Sequence, residues 1–257
     1  MNPILKVDQI SKSYQQGNQQ IKVLEQVCMQ ANPGEKIAIL GPSGCGKSTL
    51  LSLLAGLDKP DQGTVEIAGS NLVTMSEDQR TLTRSQKLGI VFQQYHLMRN
   101  LTAMENAGLP LEILGKNDYA EQACKALDEV GLSHRLNHFP SEMSGGECQR
   151  VAIARALIIK PELIILDEAV SALDVSIRAQ ILDLLAKLST ERGLTYLFIT
   201  HDLTVVKAIS DRVLVMRDGR IIEQGDTKNV FHSPQHDYTK KLIAAAPDIH
   251  AVEGIQV

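Results

Sequence analysis

The chain has 257 residues, 44% of them hydrophobic, and a formal net charge of −4 at pH 7. This length accommodates one large α/β domain with a sizeable core. The acidic balance gives no electrostatic basis for binding nucleic acid, so we expect no nucleic-acid partner.

The apolar runs along the chain are short. One of the longest, Leu50 to Leu57, is far below the ~20 residues that a membrane-spanning helix needs. The N-terminus has no basic segment followed by an apolar stretch, as a secretory signal would have. We therefore expect a cytoplasmic protein, which could work at a membrane only through separate membrane-spanning subunits.

The first third of the chain is predicted to be mainly β structure. Its short apolar runs predict strands at Leu5–Val7, Ile21–Val27, Lys36–Leu40 and Thr64–Ile67. The strand Lys36–Leu40 is followed by several glycines and then by an apolar helix, predicted from Lys47 to Leu57. From Gln94 to about Lys160 the pattern turns helical, most clearly between Tyr119 and Val130.

Strand patterns return after this helical segment. Leu163–Leu166 and Thr195–Ile199 are short apolar runs, typical of central parallel strands. Between them, a helix from Val175 to Glu191 is predicted to bury one stripe, formed by Ile177, Ile181, Leu184 and Leu188. Asp218-Gly219 predicts a β-hairpin between Val213–Arg217 and Arg220–Glu223. We expect one α/β domain over residues 1–257, with a core at about 1–93 and 160–230, a helical insert at about 94–159 and a tail at about 231–257.

A glycine-rich segment matches the P-loop pattern G-x-x-x-x-G-K-[ST] in full and lies between a predicted strand and a predicted helix. Its residues are Gly41, Pro42, Ser43, Gly44, Cys45, Gly46, Lys47 and Ser48, followed by Thr49. Backbone N–H groups and the helix N-terminus favour phosphate, Lys47 reaches the β- and γ-phosphates, and the Ser48 hydroxyl suits Mg²⁺. We expect this cradle to stabilise the Cys45 thiolate, so that alkylation inactivates the protein and MgATP protects it.

Two acids follow the apolar strand Leu163–Leu166. Asp167 is expected beside the P-loop, where it can hold Mg²⁺, and Glu168 is expected to polarise the attacking water. His201, just after the strand Thr195–Ile199, could reach the same γ-phosphate. Each of these residues also has a simpler interpretation when it is considered alone. The two acids could be solvated residues at a strand end, and His201 could have a structural role.

The segment Ser144-Gly145-Gly146-Glu147-Cys148-Gln149-Arg150 resembles the signature sequence of ABC ATPases, usually LSGGQ. A serine–glycine run ahead of a helix is a second anion cradle without a lysine of its own. Three further positions resemble that family: Tyr14 its adenine-stacking aromatic, Gln93 its Q-loop glutamine, which senses Mg²⁺ and water, and Ser171-Ala172-Leu173-Asp174 its D-loop. His201 matches its switch histidine.

This resemblance implies an ABC ATPase fold of the P-loop NTPase class, with a RecA-like core, an N-terminal antiparallel β subdomain and an inserted α-helical subdomain. It also implies ATP and Mg²⁺ as ligands and a head-to-tail dimer with a copy or a paralogue. In that dimer the ATP held by Lys47 of one subunit is closed by the other subunit's Ser144, Gly145, Gly146 and Glu147, with Asp174 nearby. Met143, Glu147 and Ala169-Val170 depart from the usual residues, but no catalytic group is missing, so hydrolysis and integral membrane permease partners are implied.

The likeness to transporter types is divided. Leu166–Ile177 and the tail from Phe231 to Lys240 resemble peptide and nickel importer ATPases, whereas Lys87–Gln93 and Leu101–Asn106 resemble the lipoprotein-release and macrolide-export group. We favour the importer and a position on the inner face of the cell membrane. Because no cysteine follows Cys148, we expect no iron–sulfur cluster. A soluble ABC ATPase acting on DNA or ribosomes and a scaffold with inactive ATP sites remain alternatives.

Overall fold

The structure, a computed structural model, describes residues 2–245 and contains two β-sheets with helices around them. The strands are β1 Leu5–Gln16, β2 Gln19–Ala31, β3 Lys36–Leu40, β4 Gln62–Ile67, β5 Ser70–Asn71, β6 Leu88–Phe92, β7 Leu163–Asp167, β8 Thr195–Thr200, β9 Arg212–Arg217 and β10 Arg220–Asp226. The helices are α1 Lys47–Leu54, α2 Glu77–Lys87, α3 Ala103–Ile113, α4 Tyr119–Glu129, α5 Gly145–Leu157, α6 Val175–Arg192, α7 Leu203–Ile209, α8 Thr227–His232 and α9 Asp237–Ala244.

The N-terminal sheet is antiparallel, in the order β2-β1-β4-β5. Strand β1 is far longer than the predicted Leu5–Val7. Its pairing with β2 shifts register between Val7 and Ile10, where Gln9 has a positive φ of 48°. This bulge breaks the alternation of buried and exposed residues, so that the apolar pattern no longer has the period of two that indicates a strand.

The six-stranded sheet carries the core of the molecule, in the order β10-β9-β3-β8-β7-β6. Five neighbouring strands are parallel and β10 is antiparallel to β9, as the Asp218-Gly219 pattern predicts. Alternate residues of the parallel strands pack into different clusters: Ile37 and Ile39 face the antiparallel sheet and α1, whereas Ala38 and Leu40 face the other helices. Burial on both faces explains the continuous apolar runs.

The helices differ from the predicted ones in three respects. Helix α1 ends at Leu54, and Gly56 follows with a left-handed φ of 64°. Helix α2 was not predicted. It begins with a capping box between Ser76 and Gln79, and this sequence pattern could have predicted it. The buried stripe of α6 is formed by Ile181, Leu185 and Leu188, so the predictions for Ile177 and Leu184 were wrong: both lie only partly buried.

Between β6 and β7 the chain forms α3, α4 and α5, which pack on one another. Residues 94–102 at the start of this segment are not helical, contrary to the predicted onset at Gln94. Within residues 2–245, no helix combines the length and the apolar character needed to cross a membrane. Part of the predicted tail, residues 246–257, lies outside the described residues.

Candidate active site

The loop between β3 and α1 curves tightly because its glycines adopt conformations closed to other residues. Gly44 and Gly46 have φ values of 79° and 105°, and a Cβ on Gly46 would lie 2.9 Å from the Val23 carbonyl oxygen. The Lys47 ammonium lies inside the curve and donates to the carbonyl oxygens of Gly41 and Pro42, at 2.8 Å each. The loop is therefore a rigid cradle with a buried positive charge, as its P-loop pattern predicts.

A cavity of about 370 Å³ lies in front of this loop, at the carboxyl ends of the parallel strands. It is lined by Val23, Ser43, Gly44, Gly46, Lys47, Ser48, Thr49, Gln93, Asp167 and Glu168. Residues that are far apart in sequence are brought together because β3, β6 and β7 end at the same edge of the sheet. Gly44, Gly46 and Lys47 supply an anion cradle, while Ser48, Gln93 and Asp167 supply the oxygen ligands that Mg²⁺ prefers.

The two acids at the end of β7 differ in environment. Burial raises the pKa of Asp167, the neighbouring Glu168 charge raises it further, and Lys47 opposes both. A carboxylate that is poorly solvated gains from a cation beside it, which suits a metal ligand. The Glu168 carboxylate is partly exposed, and its Oε1 lies 3.1 Å from Nδ1 of His201. The structure thus places His201 at the acid that the sequence singled out.

Glu168 itself has a strained backbone, with a φ of 47°. A left-handed non-glycine residue costs about 1–2 kcal/mol, so other contacts must hold it. Its N–H group donates to the Ile199 carbonyl oxygen at 2.8 Å, and its own carbonyl oxygen accepts from the Ser171 hydroxyl at 2.8 Å. These two bonds hold the strained backbone in place, with Glu168 at the wall of the cavity.

Cys45 does not behave as the sequence suggested. Its side chain is 4% exposed, and burial raises the pKa of its thiol, a larger effect than the lowering by Lys47. The expectation of a stabilised thiolate was therefore wrong: the sulfur packs beneath the loop, where a Cβ on Gly41 would lie 2.8 Å from it. Of the described residues, the P-loop members Gly41, Pro42 and Cys45 do not line the cavity.

Tyr14 does not itself line the cavity, although its hydroxyl neighbours Thr49, which does. Its hydroxyl donates to Asp58 Oδ2 at 2.9 Å, and the Lys12 ammonium lies 5.1 Å from the ring centroid. The residue is 41% exposed.

The serine–glycine segment begins helix α5 and is separate from the cavity. Ser144 and Glu147 form a capping box, and Glu147 Oε1 accepts from Arg135 Nε at 2.7 Å. The Ser144 N–H bond, with Arg135, lowers the pKa of Glu147 to about 2. Within residues 2–245, no protein acceptor is found for the N–H groups of Gly145, which is exposed, and of Gly146, which is buried.

Asp174 starts helix α6, and its exposed side chain makes no capping bond. Next to it, Val175 is 81% exposed. Leu173 and Ile177, on either side of this pair, lie against the positions where Cβ atoms of Gly145 and Gly146 would project. The predicted D-loop and the serine–glycine segment therefore form one continuous surface.

The segment around Gln93, Phe92–His96, is here called the Q-loop segment. It is stabilised by a residue that the sequence did not point to. Tyr95 and His96 have left-handed φ values of 56° and 48°. Arg155 of α5 donates to the carbonyl oxygens of both, at 2.7 Å and 2.6 Å. Two adjacent left-handed residues cost about 1–2 kcal/mol each, and nothing in the sequence indicates this conformation.

The β9–β10 hairpin connects the P-loop to the C-terminal tail. The Gly219 N–H donates to the Cys45 carbonyl oxygen at 3.1 Å. Beside the turn, the Arg217 guanidinium lies 4.8 Å from the centroid of the Tyr238 ring. His236 accepts the Tyr238 N–H through Nδ1 at the start of α9.

This geometry defines a P-loop NTPase: a lysine-bearing phosphate cradle, an acidic strand end and a second anion cradle on a separate helix. The model of the family described as ABC transporter matches residues 24–171, and that described as the oligopeptide/dipeptide transporter C-terminal region matches residues 222–256. The chain therefore belongs to the ABC transporter ATP-binding family. It is an ATPase subunit that uses ATP with Mg²⁺.

Two relatives and one solved structure show how far the similarity extends. The methionine import ATP-binding protein MetN 1 of Rhodopseudomonas palustris is 41% identical over 94% of this chain and 67% of its own length. The lipoprotein-releasing system ATP-binding protein LolD of Pseudomonas syringae pv. tomato is 44% identical over 86% of this chain and 97% of its own. The dimeric ATP-binding cassette MJ0796, bound to ADP and Pi after hydrolysis, is 36% identical with a TM-score of 0.79, over 87% of this chain and 98% of that one.

Proposed function

We propose that the cavity residues of one subunit carry out hydrolysis of ATP. The observation that supports this most strongly is that Lys47, Gln93, Asp167 and Glu168 line one cavity although they come from three separate parts of the chain. Lys47 exchanges the Gly41 and Pro42 carbonyl oxygens for oxygens of the β- and γ-phosphates, while N–H groups of the loop bind the same phosphates. Tyr14 stacks on the adenine through its ring.

Glu168 acts as the base that orients and polarises the attacking water. Its contact with His201, from Oε1 to Nδ1 at 3.1 Å, supports a role for both side chains beside the γ-phosphate. Ser48, Gln93 and Asp167 hold the Mg²⁺ ion, which neutralises charge on the β- and γ-phosphates.

The second anion cradle completes the site of a partner subunit. Ser144 and the free N–H groups of Gly145 and Gly146 lie on a different helix from the cavity, so they serve another molecule's nucleotide. Glu147 fixes Ser144 through the capping box, and Asp174 adjoins this surface. ATP then favours the dimer because it contacts both subunits, and hydrolysis removes that preference.

The assignment of Glu168 is tested by Glu168→Gln. Loss of the base is expected to slow turnover by roughly 10²–10⁴-fold while ATP binding persists, measured by phosphate release and by equilibrium binding. Glu162→Gln, just before the opposite end of β7, is the control and should keep wild-type turnover. Near-normal turnover of Glu168→Gln would remove this residue from its proposed role.

We further propose that the subunit powers import, through permease partners on the inner face of the membrane. The C-terminal match to the oligopeptide/dipeptide transporter region and the likeness to methionine import proteins support this. Release of lipoproteins is the alternative, because the LolD relative aligns over almost its whole length.

Transport measurements in a strain that lacks the chain separate these two functions. We expect lower uptake of labelled methionine or dipeptides, restored by the wild-type chain but not by Lys47→Ala. Lipoprotein localisation should be unchanged. Normal uptake of both solutes with lipoproteins retained in the cytoplasmic membrane would contradict import.

A further inference from the structure

Gln93 and the serine–glycine segment serve different nucleotides in the proposed dimer, yet a short path joins them within one subunit. Gln93 lines the subunit's own ATP cavity. Tyr95, two residues later, places its hydroxyl against Gly145, where an added Cβ would lie 2.8 Å from the phenolic oxygen. We propose that Arg155 and Tyr95 form a positioning unit that couples the Q-loop segment to the serine–glycine segment. When the Q-loop segment moves, the unit changes the position of the serine–glycine segment, which binds the partner's ATP.

The unit depends on Arg155 for its backbone geometry. Tyr95 and His96 are both left-handed, and the Arg155 guanidinium binds their two carbonyl oxygens as a fork. Within residues 2–245, no carboxylate pairs with Arg155, so these carbonyl groups are its polar partners. Stacking of Phe92 on His96, with ring centroids 4.7 Å apart, adds a second restraint.

Helix α5 connects the positioning unit to the serine–glycine segment, because both Arg155 and Gly145 belong to this helix. Arg155 lies ten residues after Gly145 on the same helix, a distance of about 15 Å along its axis. The Q-loop segment therefore contacts α5 at two places, through the fork at Arg155 and through Tyr95 at Gly145. A shift of Gln93 and its neighbours in one ATP site must move α5, or break these contacts.

The contact between Tyr95 and Gly145 is steric. Gly145 has no left-handed φ, so an alanine there meets no backbone strain. Its obstacle is the Tyr95 hydroxyl at 2.8 Å, since the next atoms, Tyr95 Cζ and Leu173 Cδ2, are both at 3.8 Å. Gly146 differs, because its added Cβ would meet Ile177 Cγ2 at 2.6 Å.

The first experiment compares Arg155→Lys with Arg150→Lys in the full chain. Both arginines lie on α5 and donate to a backbone carbonyl, but Arg150 binds that of Val130, away from the Q-loop segment. A lysine keeps the charge and loses the fork. We expect Arg155→Lys to lower kcat by roughly 10- to 100-fold, because misplacement by about 1 Å is enough for this, while ATP affinity stays near wild type. Arg150→Lys should keep both.

The inference fails if Arg155→Lys keeps wild-type kcat, if its ATP affinity falls in step with kcat, or if Arg150→Lys shows the same loss. A variant that unfolds would be recognised by its thermal midpoint. If Arg155→Lys unfolds, the inference is tested by the second experiment, which leaves Arg155 intact.

The second experiment is a suppressor test on Gly145→Ala, read out as ATP-driven dimer formation in a Glu168→Gln background. We expect Gly145→Ala to impair dimer formation and the added Tyr95→Phe to restore most of it, because the obstructing oxygen is gone. Tyr95→Phe should not restore Gly146→Ala. Equal relief of both alanine variants, or relief of neither, would overturn the inference.

This inference rests on the proposed sharing of ATP between subunits, and the two fail differently. If Ser144→Arg hydrolyses ATP as fast as wild type, sharing itself is wrong. If Ser144→Arg abolishes hydrolysis but Tyr95→Phe relieves nothing, only the positioning unit is wrong.

Discussion

At the scale of single residues, sequence patterns located the chemical groups but not what holds them. The P-loop pattern and the acids after a strand predicted that Lys47, Asp167 and Glu168 meet in one cavity, and they do. The positive φ of Glu168 and the Arg155 fork could not be predicted, because both depend on contacts between distant segments. Cys45 shows the reverse error: the pattern suggests an electropositive setting, yet burial outweighs it.

The capping box of α5 makes a prediction about pH. The pKa of Glu147 falls from its ordinary 4.5 to about 2, mainly through the Ser144 N–H bond. A depressed pKa adds stability above the unfolded value, and that stability is lost as pH falls from about 4.5 toward 2. Glu147→Gln should therefore be less stable than wild type by at most about 3 kcal/mol at pH 7. The difference should shrink steadily between pH 5 and pH 3 in urea titrations.

Glu142→Gln is the matched control for this titration. Its carboxylate also accepts a backbone N–H, from Phe139 at 2.8 Å, but among the described residues it pairs with no arginine. A pH-independent difference between Glu147→Gln and wild type, or an equal one in the control, would contradict the account of the capping box.

At the scale of elements, the buried parallel strands were predicted well because their apolar runs are continuous. Strand β1 and helix α2 were not, since a bulge at Gln9 interrupts the first and few apolar residues mark the second. Contacts between elements were invisible in the sequence. Gly219 is an example: its hairpin was predicted, but its bond to the Cys45 carbonyl oxygen shows that the turn also supports the P-loop.

Gly219→Ala tests this support. Gly219 has a φ of 76°, and an added Cβ would lie 2.4 Å from the Val23 carbonyl oxygen of β2, so the turn must shift away from β2 and disturb its bond to the Cys45 carbonyl oxygen. We expect ATP affinity to fall, together with a stability loss above the roughly 1–2 kcal/mol of the left-handed backbone alone. Equilibrium ATP binding and urea unfolding measure the two effects.

Gly17→Ala isolates the backbone cost. Gly17 is also left-handed, with a φ of 59°, but nothing lies within 4 Å of the added Cβ. It should lose stability by that cost only and keep its ATP affinity. The same ATP affinity in both variants would show that the hairpin does not support the P-loop.

At the scale of the whole molecule, the proposed function needs two parts of an ATP site on one chain. The cavity has the lysine and the acids, whereas the serine–glycine segment, Ser144 to Gly146, lies at the start of helix α5. The sequence order of the motifs predicted both halves through their resemblance to a family.

Measurement of ATP-dependent dimer formation tests this central claim most directly. The full chain carrying Glu168→Gln is analysed by light scattering after chromatography, with and without ATP, and compared with a chain that also carries Ser144→Arg. We predict a dimer with ATP for Glu168→Gln alone and a monomer for the double variant, because the arginine blocks the second cradle. A monomer in both cases, or an ATP-dependent dimer in both, would contradict the account.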